Sequence, residues 1–243
     1  MSVARGSVAA YHSDDEARDR TRTGSIEMGL DFSYLLYFHR EDLWPVLQDI
    51  AAGARAADPP TLIVFPDHIL PIPLESWGPK ERMIPHDEGE FGFATSLYFP
   101  EDEKIIEYIQ HVFPEGYQEL CTESPLGIPI GCIYLTIYTD LGILGGHAYD
   151  PGHVLFEFGT PGTTMSILFS ESESIRRRFV ELLEKHHGVC GVLNMEMEAE
   201  AFYLNGRAIS LDLRDAWLPP NQIEALMLTD GGGRAGDARR NPR

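Results

Sequence analysis

Three stretches of the chain pass from a strand-like pattern straight into a helix-like one, and this repeat limits the fold more than any other feature. The first runs Ser33-Tyr34-Leu35-Leu36-Tyr37-Phe38, then Glu41-Asp42, then Leu43, Val46, Leu47 and Ile50. The second runs Ala94-Thr95-Ser96-Leu97-Tyr98-Phe99, then Glu101-Asp102-Glu103, then Ile105, Ile106, Ile109 and Val112. The third runs Thr164-Met165-Ser166-Ile167-Leu168-Phe169, then Glu171-Ser172-Glu173, then Ile175, Phe179, Leu182 and Leu183. In each, apolar spacing changes from two to three or four, which predicts a strand handing over to a helix. The acids at the junctions have a local use: a carboxylate in a first helical turn faces unpaired N–H groups and the positive end of the helix dipole. Ser170 with Glu173 fits a capping box.

Further strands follow from alternation and turn residues. Thr61–Phe65 and Ile69–Leu74 flank Pro66-Asp67-His68, and the prolines at 71 and 73 place the second at an edge. The run 131–138 is the clearest strand, 154–158 is expected to pair with 164–169, and Asn205-Gly206 joins two short strands as a hairpin turn. The expected architecture is α+β: a broad, mostly antiparallel sheet of about nine strands, with three helices on one face. Two ferredoxin-like halves set side by side would give the same element order. Residues 1–27 show no apolar periodicity and are expected to form a disordered arm, with Met28 as the true or alternative start. Residues 28–228 form one domain, and 229–243 a disordered Gly/Arg tail.

Charge narrows the function classes. There are 38 acidic residues against 19 Lys and Arg, a net −19, and the tail after 228 is basic, so the acid belongs to the folded body. Such a surface repels phosphate backbones and anionic lipid, which argues against nucleic-acid or membrane binding and favours cations or a basic protein partner. Three cysteines without a C-x-x-C pair, and an N-terminus lacking an apolar core, are expected of a reducing cytoplasm. No phosphate loop, dinucleotide fingerprint, H-E-x-x-H or G-x-S-x-G elbow is present.

If Leu36/Phe38, Leu97/Phe99, Ile167/Phe169 and Ile133/Leu135/Ile137 face the helices, alternation sends a polar-aromatic set to the reverse of the sheet. Tyr37, Tyr98, Tyr134, Thr136, Tyr138 and Glu157 are therefore the candidate binding residues for a protein partner. Tyrosine offers contact area at low entropic cost and a hydroxyl. The bland alternative is a solvated face, where Tyr and Thr occur because they fit strands.

Candidate chemistry is sparse. His147, Asp150 and His153 lie on one glycine-flanked loop and carry the donors for a divalent metal, the one cofactor considered. His68 and His86 lie in two more loop clusters with acid–base potential. Together these support a second expectation, a small-molecule-binding or hydrolytic enzyme, metal-dependent in one version. His186-His187-Gly188-Val189-Cys190 brings imidazole near a thiol, but reads as a helix terminus followed by a core strand.

Overall fold

The computed structural model describes residues 30–76, 83–116, 118, 120 and 124–230. The expected arm, Met28 and all of the tail beyond Asp230 lie outside the described residues.

The fold is α+β. Eight strands form the main sheet: β1 (Ser33–His39), β4 (Glu75–Ser76), β6 (Glu90–Phe99), β7 (Ile128–Tyr138), β10 (His153–Gly159), β11 (Cys190–Asn194), β12 (Ala199–Leu204) and β13 (Arg207–Leu213). Their order is β13-β12-β11-β1-β10-β7-β6-β4, and every neighbouring pair is antiparallel. β2 (Thr61–Val64), β3 (Ile69–Ile72) and β5 (Met83–Pro85) form a separate three-stranded sheet, with β3 and its proline at the edge as expected. β8 (Ile143–Leu144) and β9 (His147–Ala148) make a small hairpin. Five helices are described: α1 (Leu43–Ala52), α2 (Glu103–Val112), α3 (Thr163–Glu171), α4 (Glu173–Lys185) and α5 (Pro220–Asp230). None is long and apolar enough to cross a membrane.

Two of the three repeat units form as the sequence predicts; the third does not. Residues 164–169 are helix α3, not a strand, and β10 pairs with β1 and β7 instead. The spacing explains the choice. Met165, Leu168 and Phe169 turn inward at intervals of three and four, while Ile167, expected inside, is 43% exposed. The Ser166 hydroxyl, fully buried, donates to the carbonyl oxygen of Leu30 (2.6 Å) and bonds Thr160 Oγ1 (2.6 Å). Both flanks of β1 are already taken by β10 and β11. The passage β10–α3–α4–β11 straddles β1, as in one ferredoxin-like half; β6–α2–β7 joins immediate neighbours and builds no second half.

Capping fixes the helix starts. Asp102 accepts the Ile105 N–H (2.8 Å) at the start of α2, and its other oxygen accepts the Ser172 hydroxyl (2.6 Å) and the Ser174 N–H (2.9 Å) at the start of α4. The cap of α4 is thus Ser172, which accepts from the Ile175 N–H (3.2 Å), rather than Ser170. Burial alone would raise the Asp102 carboxyl, but these donors outweigh it and hold the group below the usual carboxylate range.

The sheet is covered on both faces, which corrects the expectation of a single hydrophobic side. The first core joins α1, α2, α3, α4 and the small sheet to Tyr34, Leu36, Phe38, Phe93, Phe99 and Phe156. A bulge keeps it continuous. Gly131 and Cys132 oppose Ser96 alone, so inward facing passes from Ile128 and Ile130 to Ile133, Leu135 and Ile137. Cys132 sits exposed on the bulge at φ 61°, not in the core. The second core lies on the reverse: Leu35, Tyr37, Leu155, Cys190, Val192 and Ala201 pack under Leu141, Tyr149, Leu213, Ala216 and Ile223. Its cover comes from the β8–β9 region and α5, segments with no strong periodic signal.

Candidate functional site

The reverse face divides the tyrosine set. Tyr37 is fully buried, its ring stacked on Tyr149 (centroids 5.9 Å apart), so it is a core residue and leaves the proposed docking surface. Over β7 and β6 the face is more open: Tyr134 is 39% exposed, and Tyr98, Thr136 and Tyr138 are partly so. Gly92 and Ala94 lie opposite Thr136 and Tyr134 in register. The Tyr138 hydroxyl donates to Glu157 (3.1 Å), whose carboxyl burial pushes above its ordinary value; Glu90 adds to the shift, and Tyr138 and Ser33 oppose it. The stability consequence has a definite sign. A raised folded-state carboxyl makes the fold less stable as pH climbs from the ordinary glutamate value through the folded one. Glu157→Gln is therefore expected to flatten this loss, with a higher melting temperature than the wild type at pH 8 and a smaller difference at pH 4.

The three-residue cation site is not assembled. His147 Nε2 pairs with Asp215 Oδ2 (2.8 Å), which ties β9 to the segment before α5. Asp150 accepts the Gly152 N–H (2.8 Å) within its own turn. His153 lies beside His39, ring centroids 5.4 Å apart. Each of the three is held by different neighbours, and among the described residues no group of three or more His, Cys, Asp or Glu side chains is placed to hold a metal. The other loop histidines bracket Phe65: His68 stacks on it at 4.3 Å and His86 at 5.0 Å, with His68 Nδ1 on Asp67 (2.8 Å).

A different convergence appears at the end of the sheet where β1 stops and β10 starts. A cleft of about 570 Å³ opens there, within the size range of small-molecule sites. Five chain segments meet in it. β1 and β10 bring His39 and His153 side by side in register. The end of α4 brings Glu184 and His187, the β12–β13 turn brings Asn205, and the first two turns of α5 bring Asn221 and Glu224. Tyr203, almost wholly buried, completes the wall, its phenol pushed up by burial and by the Glu184 carboxylate.

Two of the imidazoles carry unusual constraints. His187 sits at φ 49°, in the left-handed region that a helix C-terminus ordinarily gives to glycine. The glycine of this terminus is one residue later. Gly188 donates to the Leu183 carbonyl (2.7 Å), and a Cβ there would come within 2.3 Å of Leu183 Cδ2. A histidine thus holds a strained position where glycine is free of strain. His187→Gly is expected to raise stability by about 1 kcal/mol, or roughly 3 °C in Tm, measured by thermal unfolding. In His153, Nδ1 is buried with no hydrogen-bond partner. Burial lowers the pKa of this ring, with His39 adding and Asp150 opposing.

A covalent mechanism through the neighbouring thiol finds no support in its surroundings. Cys190 is fully buried and burial pushes its thiol up to about 12, whereas a nucleophilic cysteine needs a thiolate-favouring, partly exposed place. What the cleft offers is hydrogen bonding and carboxylate charge.

Of the candidate metal and binding residues only His153 lines this cleft, joined by His187, Gly188 and Val189 from the stretch read as a helix terminus and core strand. His39, Glu184, Asn205, Asn221 and Glu224 come from separate elements, and no spacing along the chain joins them. Strand register was the one available signal, since β1 and β10 end on facing histidines. Comparison with protein-family models, curated proteins and solved structures yields no match.

Proposed function

We propose that this chain binds a small polar molecule in the end-of-sheet cleft. The observation that carries this reading is His187, an imidazole kept in the left-handed region on the cleft wall. A non-glycine residue at such a position costs stability, and strain of this kind gathers where a side chain is needed for recognition or chemistry. The cavity volume and the facing histidines of β1 and β10 support it independently. Only a folded chain forms the site, because its wall draws on residues 39 to 224.

Ligand-observed NMR with a library of small polar fragments tests the reading. Hits are expected, and Asn221→Trp, which places an indole at the cleft wall from an exposed position on α5, is expected to abolish them. Fragments that bind wild type and variant alike would overturn it.

A second reading rests on the open part of the reverse face. Tyr134, Thr136 and Tyr98 over β6 and β7 form a polar-aromatic strip, and the exposed carboxylates of Glu88, Glu90 and Asp140 lie near its Tyr138 end. Charge complementarity favours a basic, extended segment of a protein partner there. A synthetic peptide alternating lysine and valine should shift the Tyr134 and Thr136 amide signals, and Tyr134→Ala should remove the shift while leaving Tm nearly unchanged. Unmoved signals would end this reading.

A further inference from the structure

We infer that the cleft selects an organic cation, a ligand bearing an ammonium or guanidinium group that Glu184 and Glu224 meet. This inference rests on the cleft being a ligand site, and it assigns the chemical class that site takes. Three features of the wall point the same way.

The first is the charge of the lining. Glu184 and Glu224 are its carboxylates, and among the described residues no lysine or arginine lines it. The nearest lysine in sequence, Lys185, is turned to Asp49 on α1 (2.8 Å). Both glutamates lack an ion-pair partner among the described residues. Two unpaired carboxylates at the wall of a concave site attract a cation and repel an anion, and the chain's net charge of −19 deepens the field.

The second is the polarity of the helix ends. α4 runs its C-terminus into the cleft, through Glu184, His187 and Gly188, and a helix C-terminus carries partial negative charge. α5 presents its N-terminus, which would ordinarily favour an anion. Here all its donors but the Asn221 N–H are absent or engaged. Pro220 has no N–H, and the N–H groups of Gln222 and Ile223 both donate to the Pro219 carbonyl (2.9 and 3.1 Å). Glu224 follows within the same region of the helix and adds negative charge. The last carbonyls of α4 are likewise engaged, accepting from His186, His187 and Gly188, so neither helix end is bare and the two glutamates set the sign of the wall.

The third is the neutral polar complement. The carboxamides of Asn205 and Asn221 bring acceptors that an ammonium or guanidinium uses for its remaining N–H groups. Burial favours the uncharged form of His153. The volume of about 570 Å³ admits a small molecule and excludes a folded partner.

A matched series separates charge from shape. 1,4-Diaminobutane, 1,4-butanediol and succinate share a four-carbon chain and differ in charge. Isothermal titration of the full chain at pH 8 should show the diamine binding at least tenfold more tightly than the diol, and no binding of succinate. Glu184→Gln and Glu224→Gln should each weaken the diamine about tenfold, the usual loss when one hydrogen bond to a charged group goes. Unfolding curves of the two variants control for folding. Equal diamine affinity in wild type and both variants would overturn the inference, as would no diamine binding at all. Tighter binding of the diol or succinate, blocked by Asn221→Trp, would overturn the cationic class and leave the cleft standing as a ligand site. Absence of binding by all three, together with fragments indifferent to Asn221→Trp, would remove both.

Discussion

Replacing Gly127 with alanine is expected to lower the melting temperature by about 10 °C, the loss of roughly 4 kcal/mol in a protein of this size. Gly127 leads into β7 at φ 117°, a conformation that L side chains rarely adopt. A Cβ at this position would lie 2.1 Å from the Phe99 carbonyl oxygen and 2.6 Å from its carbon. Both obstacles are backbone, so no rotamer change relieves the clash. Phe99 is the last residue of β6 and pairs with Ile128, the first of β7. Relief must come from separating these two strands, which opens Ile128 and Ile130, both fully buried, to water. Backbone strain and overpacking each cost about 1–3 kcal/mol, and here they act together. Gly89→Ala is the matched control: a Cβ there meets nothing within 4 Å, and the expected change in Tm is near zero. Equal melting of the two variants would contradict this account of the β6–β7 junction.

Asp102→Ala is expected to cost about 3 kcal/mol, because one carboxylate serves two helices. Removal of a single N-cap costs about 0.5–2 kcal/mol, and Asp102 caps α2 directly while fixing the Ser172 hydroxyl and the Ser174 N–H at the start of α4. Losing it unties two helices of the first core. The effect also has a pH signature. The carboxyl is held below its ordinary range, so its contribution is complete above the unfolded-state value and disappears as pH falls through the folded one. Denaturant unfolding should show the full difference between wild type and variant at pH 7 and a smaller one on acidification. A difference independent of pH would mean that the carboxylate form is not what stabilises the helix starts. Asp102→Asn, which keeps an acceptor without the charge, should fall between the two.

The part of the fold that was legible in the sequence is the part written in period. α1 and α4 bury the residues that the three-and-four spacing marks, α2 buries Ile105 and Ile109 but leaves Val112 exposed, and Leu36, Phe38, Leu97, Phe99, Ile133, Leu135 and Ile137 face these helices. Two kinds of information were missing. One is competition for sheet edges. Thr164–Phe169 fits a strand nearly as well as a helix, and the decision belongs to β11, which takes the remaining flank of β1. The other is cover by weakly patterned chain. Alternation correctly sends Tyr37 to the reverse face. It says nothing of Tyr149, Ala216 and Ile223, which seal that face from elements without regular apolar spacing. Tyr134, farther from that cover, keeps the exposure that the pattern implies.

The candidate site was nearly illegible for the same reason. Motif reading finds donors that are close in sequence, such as His147, Asp150 and His153, yet β9 and β10 belong to different sheets and turn these side chains to different neighbours. The cleft is assembled by register and by helix ends, which are properties of the folded chain. His187 carried a faint mark: a histidine directly before a glycine at the close of a helix is ordinary, and its left-handed backbone shows only once Gly188 is seen pressed against Leu183.

The position of β1 sets a schedule for biosynthesis. Among the described strands it is the first to leave the ribosome, yet its hydrogen-bonding partners are β10 and β11, well over a hundred residues downstream. At typical translation speeds of 5–20 residues per second, a nascent chain holds this nearly all-apolar ribbon without its mates for roughly ten seconds. Strand pairing over such separations is also slow once the mates arrive. The hexapeptide Tyr34–His39 is therefore where a holding chaperone would grip the emerging polypeptide, and where premature release would seed aggregation.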